Sequence, residues 1–232
     1  MRTRLFGVIS LINLALTSVW LILLIIGIQR SGPVETFEQA IASVSRLDWL
    51  FYLTYINAAF ITITAAMLFA GLYLYCKSAS PGWSMVGLVF VPVYAILGLV
   101  SYLSQITVVP RVIALSQISQ YDAVSDILLG LVIQQWPGSI IAFLNTLAYA
   151  ILAIPSIIFG ILLLKGNKLS KFAGALLALN GIFCIIGLTG IILENSLLGM
   201  GSAIGGAIYL FALIPLSLMF LREEDISSDK LS

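Results

Sequence analysis

The chain has 232 residues, of which 61% are hydrophobic and 9% charged, against about a quarter charged in an ordinary soluble domain. Mean hydropathy is +1.13, which points to an integral membrane protein. Eleven Lys and Arg against ten Asp and Glu leave a net charge of +1, too little basic surplus for nucleic-acid binding. The chain contains no histidine, so zinc hydrolases and His-based triads are excluded.

Taken in chain order, six segments are long and apolar enough to cross a bilayer: residues 5–28, 49–76, 83–105, 139–164, 172–193 and 197–221. The first follows Arg2 and Arg4, yet its apolar run exceeds a signal-peptide core and no A-x-A site follows, so it is expected to remain as a span. The expected fold is an all-α polytopic membrane protein of six transmembrane helices. Residues 1–221 form one transmembrane domain and 222–232 a disordered cytoplasmic tail. Arg2, Arg4, Lys77, Lys165, Lys168, Lys171, Arg222 and Lys230 fall on one side of six alternating crossings, and Arg30, Arg46 and Arg111 on the other. That bias places both termini in the cytoplasm.

The two long outer loops carry helical periodicity. In 33–47, Phe37, Ile41, Val44 and Leu47 recur on one face, with Pro33 suited to a first turn and Glu35 to its positive end. In the second loop, Val124, Ile127, Leu128 and Leu131 share a stripe, Asp122 and Asp126 come early, and Trp136 and Pro137 close it; Pro110 to Gln120 is expected to be helical as well. Such amphipathic helices either lie on the outer interface or cap the bundle.

Segments 34–104 and 122–193 resemble each other: Trp49 matches Trp136, Asn57 matches Asn145, Gly71 matches Gly160, and Gly98-Leu99 matches Gly187-Leu188, at offsets of 87 to 89 residues. A parallel repeat of this kind implies a twofold axis along the membrane normal with a site between the copies.

No Asp, Glu, Lys or Arg falls in the core of any span, which argues against proton or ion coupling. The polar groups at membrane depth are amides and hydroxyls. They act as interhelical glue or line a cavity, and Asn57, Tyr94, Asn145, Tyr149 and Asn180 are the candidate ligand-binding residues. Such a set suits an uncharged or zwitterionic ligand. The SYLSQ run at 101–105 is the densest polar cluster near the outer surface, either a pocket wall or a helix end. Pro92, Pro155 and Pro215 interrupt spans three, four and six. Gly201 and Gly205 have GxxxG spacing, for packing within the chain or with a protein partner or second copy. Cys76 and Cys184 lie at different depths, a poor geometry for a disulfide. No catalytic residue, metal or cofactor is implied, because no nucleophile has a base beside it in the spans, and the chain is not expected to be an enzyme.

The runs LVFVPVYAILGLVSYLSQITVVPRV (88–112) and IPSIIFGILLLKGNKLSKFAGALLALNG (154–181) resemble segments of prokaryotic six-span membrane proteins that share a domain of unknown function. The resemblance implies a prokaryotic cytoplasmic membrane and names no substrate. The expected function is binding or moving a small neutral or lipid-like molecule; the alternative is a non-catalytic partner or assembly subunit.

Overall fold

The structure is a computed structural model that describes residues 2–32, 34–118 and 121–228. Pro33, Gln120 and Lys230, and the side chains of Arg2, Asp122, Ser227 and Ser228, lie outside what it describes. Among the described residues ten helices are formed: α1 (Arg2–Ser31), α2 (Phe37–Val44), α3 (Trp49–Cys76), α4 (Pro81–Thr107), α5 (Val109–Ser116), α6 (Asp122–Val132), α7 (Ile140–Leu163), α8 (Lys168–Ile192), α9 (Ser196–Gly199) and α10 (Gly201–Ser228). The six long ones, α1, α3, α4, α7, α8 and α10, are apolar enough to span a membrane, so the protein is an all-α, multi-pass membrane bundle.

Local chemistry sets the helix ends. Asp48, Ser139 and Asn167 each cap a helix, their side-chain oxygens accepting from Phe51, Ala142 and Ser170 amides. Asn167 therefore starts α8 at Lys168, four residues before the hydropathic boundary. Pro81 occupies the first turn of α4, where its missing N–H costs nothing. After Pro215 the chain contains no further Pro or Gly before Ser228, and the main chain stays helical through 222–228, where a disordered tail was expected.

The spans are arranged in chain order as a ring. Each packs on the next (α1 on α3, α3 on α4, α4 on α7, α7 on α8, α8 on α10), and α10 closes back on α1. A twofold axis relating α3–α4 to α7–α8 would match the extensive α4–α7 contact with an equivalent one between α8 and α3. The ring instead separates those two helices by α10 and α1 on one side and α4 and α7 on the other, so the expected twofold arrangement is not present.

Lipid tails offer no hydrophobic drive for helix association, so close packing and polar pins must hold the ring. Gly201 and Gly205 of α10 face α8: a Cβ on Gly201 would lie 2.6 Å from the Phe183 carbonyl oxygen, and one on Gly205 2.8 Å from the Cys184 sulfur. The close approach that GxxxG spacing permits is thus used inside the chain, whereas neighbouring Gly206 faces open space. Helix α1 exposes most of its apolar side chains and is held by side-chain hydrogen bonds. Asn13 donates to the Ile61 carbonyl at 3.0 Å and to Thr64 Oγ1 at 2.6 Å, while Ser10 donates to the Leu213 carbonyl at 3.2 Å.

At the end of the bundle opposite the termini, α2, α5 and α6 pack down as a cap. Ala40 and Val44 of α2, Val109, Val112 and Ile113 of α5, and Leu129 and Ile133 at the end of α6 form a second core with Phe51, Tyr55 and Tyr102. Helix α2 is shorter than its periodicity suggested. Thr36 and Gln39 form a capping box at its start, and Leu47 lies beyond its end with φ of 41°. Phe37 packs on Trp136 with ring centroids 5.4 Å apart, and Gln105 clamps the cap to α4, donating to the Val132 carbonyl and accepting from the Gln134 amide. The stripe read on α6 is divided: Val124, Ile127 and Leu131 are exposed, Leu128 packs partly buried against the cap core, and Ser125 and Leu129 are buried. Helix α6 is therefore apolar on both sides.

Candidate functional site

The spans bring their polar groups together at one depth. Tyr94, Asn180 and Tyr209 are the middle residues of α4, α8 and the span 196–222, and Thr62 and Tyr149 lie within a turn of the middle of α3 and α7. Five of the six spans thus contribute a hydroxyl or amide to a single layer. Tyr94 is in electrostatic reach of Tyr149, Tyr209 and Cys184 and faces Thr62, and Tyr209 reaches Tyr149. Tyr102, two turns nearer the cap on α4, closes the group with a 2.7 Å hydroxyl–hydroxyl bond to Tyr149.

Part of this layer is internally satisfied and part is not. The Asn180 Nδ2 donates to the Gly205 carbonyl at 2.9 Å, pinning α8 to α10, and Thr62 donates to the Ala58 carbonyl at 3.0 Å. The Asn180 Oδ1, the Tyr209 hydroxyl, and the Asn145 Oδ1 one turn from Tyr149 are buried with no hydrogen-bond partner among the described residues. A buried polar atom without a partner costs roughly 1–3 kcal/mol, and backbone and side-chain polar groups at membrane depth are ordinarily paired. Three such atoms around one layer are binding capacity of both donor and acceptor type.

The two ends of the ring differ. Toward the cap, the polar groups continue: Tyr102 is in electrostatic reach of Tyr55, Tyr55 bonds Gln135, and Gln135 accepts from Ser43 at 2.6 Å. Toward the termini, Leu68, Phe69, Leu72, Phe159, Leu163, Leu177, Leu213, Leu216 and Phe220 fill the ring with essentially no exposed surface. Phe69 and Phe159 lie with centroids 6.0 Å apart in this plug. These tyrosine and amide groups therefore run from the cap to the midplane, and beyond it buried serines, Ser10, Ser84, Ser156 and Ser217, stand among the apolar side chains.

Of the five candidate residues, Tyr94, Tyr149 and Asn180 lie in this layer, with Asn145 just above it. Asn57 does not. Its Nδ2 donates to the Leu16 carbonyl at 2.9 Å, so it faces α1 and acts as an interhelical pin. The matched pair Asn57 and Asn145 hence have different environments: the second neighbour of α3 is α1, whose Leu16 carbonyl takes the Asn57 amide, whereas the second neighbour of α7 is α4. Sequence reasoning missed Tyr102 and Tyr209 as members of the site; mid-span position was the signal that would have found Tyr209. In the SYLSQ run, Ser101 and Ser104 bond backward to helix carbonyls while Tyr102 and Gln105 reach the site and the cap.

Among the described residues no group of His, Cys, Asp or Glu has metal-holding geometry. Cys76 and Cys184 are buried free thiols. No protein-family model matches the chain, and neither a curated protein nor a solved structure does.

Proposed function

We propose that the protein binds a small uncharged, hydrogen-bonding molecule, or the polar part of a lipid-like one, in the midplane layer of Tyr94, Tyr149, Asn180 and Tyr209, with Asn145 above it. The observation that carries this reading is the Tyr209 hydroxyl, buried at mid-span beside Tyr94 and Tyr149 with no partner among the described residues. A purely structural layer would pair its own groups, as Tyr102 and Tyr149 do. No charged side chain stands in the layer to balance an ion, which favours a neutral ligand. The excess of Lys and Arg at the terminal end orients the cap outward, in the cytoplasmic membrane of a prokaryote, and the polar route through Tyr55 and Tyr102 admits the ligand from that side. Passage onward requires the Phe69–Phe159 plug to move.

The test is mass spectrometry of molecules that co-purify with the full chain extracted into native lipid discs. Wild type is compared with Tyr209→Phe and Asn145→Leu at matched folding. A single species enriched in wild type and lost in both variants supports the reading. Bulk lipid alone, unchanged by either variant, refutes it and leaves an assembly subunit as the better account.

A further inference from the structure

At the capped end, the outer parts of α1 and α3 part around a cavity of about 420 Å³, within the size range of small-molecule sites. Its lining changes character with depth. Leu23, Leu24, Gly27 and Ile28 form an apolar wall on α1, and Arg30 and Arg46 stand at the rim. At 1.5 Å per residue, the wall runs about 10 Å from Arg30 toward the membrane centre. Leu24 and Ile28 are themselves substantially exposed, so the wall lies at the lipid-facing surface and the cavity opens sideways to it. Thr54, Tyr55 and Gln135 supply neutral hydrogen-bonding groups on the opposite side.

Charge sharpens this. Asp48 is the one carboxylate in the lining; it holds Arg30 at 2.9 Å while also capping α3. Two guanidiniums against one carboxylate leave the rim cationic. Arg30 and Arg46 are also two of the three cations that oppose the orienting bias of the chain, so topology does not account for them. Guanidinium groups match the geometry of phosphate oxygens and can bond them two at a time.

We infer that this cavity holds an anionic phospholipid of the leaflet at the capped end, its phosphodiester at Arg46 and Arg30 and an acyl chain along Leu23, Leu24 and Ile28. The site stands on the cavity and its two arginines; it borders the polar route at Tyr55 and Gln135 but contains no residue of the midplane layer, so the midplane is tested at Tyr209 and Asn145 and this cavity at Arg46.

The test uses the full chain in discs of phosphatidylcholine containing a minority of phosphatidylglycerol, followed by native mass spectrometry of retained lipid, with inorganic phosphate as the soluble competitor. The expected result is retention of a single phosphatidylglycerol in preference to phosphatidylcholine, reduced about tenfold by Arg46→Gln through loss of a charge-assisted bond. Arg111→Gln, which removes the third outer cation without touching the cavity, keeps it. Equal retention of both lipids, or an equal loss in Arg46→Gln and Arg111→Gln, overturns the assignment. Displacement by phosphate with no lipid preference overturns it in favour of a soluble anion.

Discussion

Replacing Tyr102 and Tyr209 separately by Phe tests the description of the midplane, because the two changes remove the same atom from opposite circumstances. The Tyr102 hydroxyl is bonded to that of Tyr149 at 2.7 Å. Removing it breaks an interhelical bond of about 0.6 kcal/mol on the membrane average and leaves the Tyr149 hydroxyl buried without that partner, for a total cost of about 1–3 kcal/mol. The Tyr209 hydroxyl has no partner among the described residues, so removing it from ligand-free protein strands nothing and relieves a desolvation penalty of similar size. Tyr102→Phe should destabilise; Tyr209→Phe should leave stability unchanged or raise it by up to about 1–3 kcal/mol. Reversible unfolding in mixed micelles of ligand-free, detergent-purified protein reads both. If Tyr209→Phe destabilises as much as Tyr102→Phe, the hydroxyl has a partner inside the chain and the argument for open binding capacity fails.

Three further outcomes follow from the packing. Gly201→Leu should drive α10 off α8 and lower the unfolding midpoint sharply, while Gly206→Leu, which faces open space, should leave it unchanged in the monomer; a parallel melt of the two variants decides this. Asn57→Leu should loosen α1 without altering ligand retention at the midplane, read as faster proteolysis or hydrogen exchange of residues 5–28. The Asp48 carboxyl is held below its ordinary value, chiefly by the Phe51 amide it accepts from and then by Arg30. A lowered carboxylate contributes stability that is complete above its unfolded pKa and is lost as pH falls through the folded one. Acid below about pH 4 should therefore weaken the α1–α3 junction in wild type. Asp48→Asn, which retains a capping oxygen but no charge, should lack that step in a pH series of melts.

Hydropathy and Lys/Arg placement made the spans, their number and their alternation legible in the sequence, because burying backbone in hydrocarbon leaves a long apolar helix as the available solution. The common depth of Tyr94, Tyr149 and Asn180 was also legible, since depth follows from counting along a helix. Helix rotation was not legible. In a soluble helix the apolar stripe reveals the buried face, but lipid and core are both apolar, so α3 carries no pattern showing that Asn57 faces α1 while Thr62 faces α4. The same ambiguity hid the rotation of α6, where Val124, Ile127 and Leu131 of the stripe are exposed while Leu128 and its neighbour Leu129 pack into the cap. Which polar groups pair and which remain open was decided only when the six spans closed into a ring and set their rotations against one another.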